Sequence, residues 1–430
     1  MGLFGGDKLI LGYDLGNEFC QISYAFSDSG EVETLSQVAG EQHFNIPTLL
    51  CKRSGVNQWF YGKDALRYAR EEQGILVENL LGLALDGEPV IIEGESFDPS
   101  ALLALFFKRS LGLVSQVASS ERISALMITC EMVDGRVLDV LNRMIAAVHL
   151  KTDRIAYQSH TESFYNYMLK QPRELWQNRS LLFDYRGNCM RIYRMECNRR
   201  TTPVVAFIQE EAHPFHNWEP LSENPAERER QSAELDNAFL RMIESACNDK
   251  FESVYLIGDG FEQEWMKESL RVLCKGRRVF QGNNLFSKGA CYGMQERLNA
   301  SPTGKEHVFL GNEKLKANIG MQILRQGEES YYALLDAGVN WYEADFTMEF
   351  YIQDGNEITL KIMPLTGKNG KEAKIILEDF PGGIARLRAR FFLEDENLLA
   401  VEIQDMGFGE FRPASRMMWQ EKIELYSREQ

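Results

Sequence analysis

One pattern occurs twice in this chain and limits its fold more than any other feature. Leu9-Ile10-Leu11-Gly12-Tyr13-Asp14 is an apolar run that ends in a carboxylate, turns through Gly16-Asn17 and resumes as an alternating run from Phe19 to Tyr24. Leu181-Leu182-Phe183-Asp184 does the same, turning at Gly187-Asn188 before the run from Cys189 to Arg194. Each reads as a β-hairpin with an aspartate at the end of its first strand. A single Asp-x-Gly-Asn is ordinary turn chemistry. Two of them, about 170 positions apart, suit a duplicated domain unit. A carboxylate beside a tight glycine turn can hold a hydrated cation, and bare backbone N–H groups there can face a phosphate.

The surrounding pattern is that of an α/β layer. Ile123 to Cys130 reads as a buried strand, a helix spans about 136–148, a short strand covers 154–157, and a helix ends near Leu169. Phe97-Asp98-Pro99-Ser100 is a helix start, and 235–247 is helical with Leu235, Phe239, Met242 and Ile243 on one face. A third glycine turn, Gly258-Asp259-Gly260-Phe261, follows the strand Ser253–Ile257 and is expected to feed a helix over 263–274. Such a turn lets a ligand approach the backbone and a helix N-terminus. It is not G-x-G-x-x-G with a following acid, which disfavours a dinucleotide site. Ser287 to Met294 is a small-residue helix expected to pack against that turn.

Residues 295–305 are polar and read as a linker. Beyond them the period changes to short alternating strands at 331–335, 344–352, 357–362, 374–377, 385–393 and 398–403, separated by turns such as Asp354-Gly355-Asn356 and Lys368-Asn369-Gly370. This predicts an all-β sandwich over 306–430, with Arg386, Arg388 and Arg390 at solvent-facing or edge-protecting positions. The first 300 residues form the other domain, in two lobes of about 1–170 and 171–300. The aromatic stretches Gly338–Glu343 and Asp405–Pro413 could meet a partner, although aromatics more often pack the ends of a sandwich.

A net charge of −16 argues against a general nucleic-acid binder and against docking on anionic membranes. The eight cysteines are scattered with no C-x-x-C pair, as in a reducing compartment, and predict no zinc ribbon. His213-x-x-His216 lacks further ligands nearby. No apolar run is long enough to span a membrane, and Met1–Gly6 lacks the features of a signal peptide. A cytoplasmic protein is the expectation.

The order of the three turns resembles the superfamily of actin, hexokinase-type sugar kinases and heat-shock chaperone ATPases. Asp14-Leu15-Gly16-Asn17 looks like its first phosphate loop, Asp184-Tyr185-Arg186-Gly187-Asn188 its second, and Gly258-Asp259-Gly260-Phe261 its adenosine loop. DnaK-type chaperones are closest in layout, since there too a β-sandwich that binds peptides follows the nucleotide domain. The resemblance implies a duplicated actin-like (ribonuclease-H-like) ATPase domain that binds ATP or ADP with Mg²⁺. It gives Asp14 and Asp184 the catalytic and metal role, Gly16, Asn17, Gly187 and Asn188 the phosphates, and Gly258, Asp259, Gly260 and Phe261 the adenosine side. Arg186 could contact phosphate directly.

Departures from the family pattern bear on activity. Asn17 and Glu18 stand where the chaperones have two threonines; Tyr185, Arg186 and Cys189 interrupt the second loop. Glu78 stands where a catalytic lysine is expected, Lys63 is a poor substitute, and Ser159 is near the place of a catalytic glutamate. The leading expectation is an ATP-binding, chaperone-like or actin-like protein with slow or no hydrolysis, whose lobe closure signals to a peptide- or protein-binding C-terminal domain. The alternative is a nucleotide-free structural or scaffolding protein that keeps the fold; a sugar or acid kinase is the third.

Overall fold

Every side chain of Leu9–Leu15 is buried, the mark of a strand covered on both faces. In the computed structural model, which describes residues 8–426 apart from 28, 39, 153, 248, 249, 354, 366–369 and 416, this strand is the middle of a mixed sheet. The amino-terminal Met1–Gly6, Asp354 and the Lys368-Asn369 turn lie outside the described residues. The fold is mixed α/β with several sheets, and the chain divides into two units: residues 1–197 with 208–305, and 198–207 with 306–430.

The first unit holds two sheets of like order. In one, β1 (Leu9–Leu15), β2 (Phe19–Phe26), β3 (Glu33–Thr34), β4 (Ile123–Cys130) and β5 (Ile155–Ser159) lie in the order β3-β2-β1-β4-β5. There β1 is antiparallel to β2 and parallel to β4, which is parallel to β5. In the other, β6 (Arg179–Arg186), β7 (Cys189–Asn198), β8 (Val204–Pro214, of which 208 onward belongs to this unit), β9 (Ser253–Ile257) and β10 (Arg278–Gln281) lie as β8-β7-β6-β9-β10. Again β6 is antiparallel to β7 and parallel to β9, which is parallel to β10.

Helices occur at matching points of each half: α1 (Pro99–Ser110), α2 (Gly135–Val148) and α3 (His160–Leu169) in the first, α4 (Pro225–Ala246), α5 (Glu268–Leu273) and α6 (Leu285–Leu298) in the second. Their starts follow from local chemistry. Asp98, Asp134, Ser159 and Asn224 each accept a hydrogen bond from an orphan amide of the first turn, and Pro99 and Pro225 need no donor there.

Glycines bring α6 against the first half. A Cβ on Gly12 of β1 would lie 2.2 Å from the Ser287 carbonyl oxygen, and one on Gly289 would lie 2.0 Å from that of Ser163 in α3. Ser23 and Ser287 share a 2.8 Å hydrogen bond, and Gln21 Nε2 donates to the Asn283 carbonyl. The small-residue helix therefore packs on β1 and α3, where the sequence reading put it on the Gly258 turn.

Other expectations shift in detail. The helix after Gly258 starts at Glu268, and Asp236 caps it by accepting from the amides of Lys267, Glu268 and Ser269. Its N-terminus is therefore already satisfied from within the chain. α4 begins ten residues before the expected Leu235, at Pro225, because Asn224-Pro225 supplies both cap and N1 proline. The expected linker is largely helical, as α6 runs to Leu298 and a short helix spans Pro302–Glu306.

The second unit is strand-rich. β11 (Ala317–Arg325), β12 (Glu328–Leu335), β13 (Asp345–Ile352), β14 (Glu357–Pro364), β15 (Lys371–Ile376), β16 (Ala385–Leu393), β17 (Leu398–Asp405) and β18 (Met418–Glu424) form two four-stranded sheets, ordered β12-β11-β14-β15 and β13-β16-β17-β18. One cluster of buried side chains draws on both sheets, including Leu360, Ile362, Leu387, Phe391 and Val401. His307–Phe309 also pairs with Val204–Ala206 in this unit, residues that the sequence reading assigned to the second lobe. The arginine-rich strand β16 is internal, so its arginines take the solvent-facing place and not the edge-protecting one. Ala385, Leu387, Ala389, Phe391 and Leu393 point inward, while Arg388 and Arg390 pair with Glu349 and Asp345 on the solvent face. Such exposed pairs add little stability.

Candidate functional site

The two hairpins that carry Asp14 and Asp184 meet in the first unit around a cleft of about 290 Å³ whose walls include Glu18, Phe19, His160, Asp184, Arg186 and Arg191. Asp14 lies on β1 between Thr129 of β4 and Gln21 of β2 and is fully buried. Its Oδ1 is 2.7 Å from His160 Nε2, at the first residue of α3. Its Oδ2 is buried with no hydrogen-bond partner. Sequence reasoning missed His160, although the strand-to-helix junction at Ser159-His160 already attracted notice for its Ser159. That serine serves as the cap of α3, accepting from the Glu162 amide.

Asp184 is equally buried on β6, opposite Arg191 of β7 and Ile257 of β9. Burial pushes its carboxyl up, while Arg186 and His160 hold it down and Asp14 adds to the rise. Arg186 Nε donates to Asp184 Oδ1 at 2.8 Å. The guanidinium is thus turned onto the carboxylate of its own hairpin, whereas the sequence expectation aimed it at a phosphate. Burial disfavours the guanidinium charge, but Asp184 and Asp14 outweigh that and hold it protonated.

The turn residues are largely engaged within the protein. The Gly16 amide donates to the Phe19 carbonyl, and Asn17 Oδ1 accepts from the Gly82 amide. The carbonyls of Gly187 and Asn188 accept from the amides of Trp218 and Phe215. Gly258, at φ +95°, lets the chain pass over Asp184: an added Cβ would be 2.8 Å from Asp184 Oδ1. A Cβ on Gly260 would strike the Tyr185 ring, and the Phe261 ring is buried against Tyr185, Phe239 and Trp265. Phe261 is therefore packed as a core residue, at the edge of a second pocket. Asp259 accepts from Asn45 Nδ2 at 2.6 Å; burial and the nearby Glu262 push its carboxyl up to about 6 against the pull of Arg186 and Asn45. Lys63, with Asn45, Gly258, Phe261, Glu262 and Asn283, borders that second pocket, of about 490 Å³. Glu78 is exposed.

These contacts decide how well the site suits Mg²⁺ and a triphosphate. The orphaned Asp14 Oδ2 would suit a ligand, but Asp14 Oδ1 and Asp184 Oδ1 are already taken by His160 and Arg186. A guanidinium at the floor repels a divalent cation. The Glu18 carboxylate, 3.2 Å from where a Cβ of Gly187 would lie, puts negative charge between the two turns and repels phosphates. The donor set does not fit the metal–nucleotide group.

In the second unit, a groove of about 870 Å³ runs between the ends of β11 and β13 and the start of β14. Leu324, 69% exposed, and Tyr351 stand on its walls. Tyr351 meets the Phe408 ring edge-on at 5.8 Å, and Phe408 lies 6.0 Å from Phe411, which is 90% exposed. The loop carrying these rings is fixed from below: buried Asp405 accepts from the Gly407 amide, Arg412 Nη2 and Ser415 Oγ. Those bonds hold the Asp405 carboxyl below its usual range despite burial. Of the two aromatic stretches singled out in the sequence, Trp341 packs against the core, whereas the 405–413 loop presents Phe411 to solvent.

Comparison with known families fits this division. Residues 31–312 match the model described as the C-terminal part of a family of unknown function, DUF5716, and residues 314–425 match a domain of unknown function, DUF8552. The first match spans more than half of the chain, so the protein belongs to that family. The Asp14 hairpin precedes the matched stretch, while Asp184 and the Gly258 turn fall inside it. No curated protein matches the chain. Among the described residues no helix is long and apolar enough to cross a membrane, and all eight cysteines are free.

Proposed function

We propose that this protein is a chaperone-like, cytoplasmic peptide-binding protein on a duplicated actin-like ATPase fold, in which fixed internal pairing has replaced the nucleotide cycle. The carrying observation is that both clamp aspartates are hydrogen-bonded from within the chain, Asp14 to His160 at 2.7 Å and Asp184 to Arg186 at 2.8 Å. The repeated sheet order of the first unit supports the fold assignment. The two-sheet second unit reads as a β-sandwich, and its groove with Leu324 and Tyr351, next to the Phe408 and Phe411 rings, suits an extended apolar polypeptide.

On this reading partner binding does not depend on ATP. Fluorescence anisotropy with labelled extended peptides rich in Leu and aromatic residues should give the same Kd with and without Mg-ATP. A tenfold change in Kd on adding Mg-ATP would restore the nucleotide-coupled reading. That second reading has one observation in its favour, the 490 Å³ pocket beside Gly258 and Lys63, which could hold a nucleoside apart from the blocked phosphate clamp.

A further inference from the structure

Where the resemblance to actin-type ATPases implies a metal ion, this chain places its own guanidinium in a built surround. Arg186 bonds Asp184 through Nε, its Cζ lies 4.7 Å from the Phe19 ring centre and 5.5 Å from that of Phe286, and its side chain is only 20% exposed. The His160 ring stacks on Phe286 at 3.9 Å and 7°, which fixes the second aromatic wall. The cation on β6 therefore touches β2 of the first half and α6 of the second. The Asp14 carboxylate, whose Oδ2 has no hydrogen-bond partner, adds negative charge close enough to act on Arg186.

A carboxylate beneath a flat cation with aromatic rings against it is the chemistry that recognises guanidinium. It is poor chemistry for Mg²⁺, which requires about six oxygen ligands in near-octahedral array. We infer that the floor of the cleft is a guanidinium-binding cage filled in cis by Arg186, and that the filled cage latches the two halves of the first unit together. This rests on the reading that the clamp has given up its metal. A lysine would serve less well, because an ammonium lacks the planar face that two rings can cover.

The test uses the full chain carrying Arg186→Ala. Thermal unfolding should fall by on the order of 5 °C, as expected when a buried charge pair loses one member. Millimolar methylguanidinium should recover at least half of that fall, while methylurea, its neutral isostere, and Mg²⁺ should recover none. Equal recovery by methylurea, recovery by Mg²⁺, or no recovery by any of the three would overturn the cage.

Should Arg186→Ala fail to fold, Phe19→Leu keeps the Asp184 pair and removes one wall. Its amides at Gly16–Glu18 and Gly187-Asn188 should then exchange hydrogen several-fold faster than wild type, and unchanged exchange would overturn the latch. Failure of the underlying nucleotide-free reading would show separately, as stabilisation of the wild-type protein by Mg-ATP.

Discussion

Asp14 and Asp184 occupy the same place in two hairpins of the same sheet order, yet they are balanced by different routes. The partner of Asp184 stands two residues along the same strand, while that of Asp14 stands 146 residues away at the start of a helix. Asp184 faces a permanent cation. Asp14 faces an imidazole and keeps one oxygen without a partner. The difference teaches that two sheets of like strand order can place a carboxylate alike while its hydrogen-bond partner comes from a different part of the chain in each. A third acid, Asp259, takes its hydrogen bond from a neutral amide, Asn45, and burial with the nearby Glu262 pushes its carboxyl up to about 6.

The largest effect should come from breaking the local pair. Asp184→Ala leaves Arg186 buried without its carboxylate, and urea denaturation should show a loss of about 3–5 kcal/mol. A loss under about 1 kcal/mol would mean that the guanidinium escapes to solvent, and the contrast with Asp14 would collapse. Asp14→Ala should cost less, about 1–3 kcal/mol, because the substitution also removes an oxygen that is unsatisfied in the wild type. Equal costs at the two aspartates would show that the long-range partner holds as firmly as the local one.

The third acid gives a pH signature. With a folded pKa of about 6 against an ordinary 3.8, Asp259 is protonated in the folded state and ionised in the unfolded state between those values. Its contribution is present below about pH 4 and is lost as pH rises to about 6. Asp259→Asn should therefore gain on wild type across that window, by on the order of 2 kcal/mol, and remain level above it. A flat difference from pH 4 to 7, measured by denaturation at each pH, would remove Asp259 from the buried set. The smallest stability effect is expected in the second unit. Phe411→Ala, at an exposed ring, should change stability by less than about 0.5 kcal/mol while weakening capture of an apolar peptide.

Much of the mixed architecture was legible because it rests on local signals. The apolar runs ending in Asp14 and Asp184, the caps at Asp98 and Asp134 and the alternation of β16 each belong to a few consecutive residues. Arg186 was visible for the same reason, but its direction was not, since a residue two positions from an aspartate on a strand can bond it or reach past it. His160 was invisible as a partner because its contact closes over 146 residues. Phe261 was placed at the adenosine side by the resemblance of its glycine turn, and its packing was not legible there. Its burial depends on Tyr185, Phe239 and Trp265, which converge only in the folded unit. The interior place of β16 was equally out of reach, because strand neighbours are set by pairing and not by composition.

Thermal unfolding of the wild-type protein with millimolar Mg-ATP, with Mg-ADP and without nucleotide tests the central claim most directly. With both aspartates hydrogen-bonded from within the chain, the three transitions should coincide. A ligand present at about 100 times its Kd would stabilise the folded state by about 2.7 kcal/mol. A Mg²⁺-dependent shift of that size, abolished by Asp14→Ala, would contradict the account and return the two aspartates to a metal.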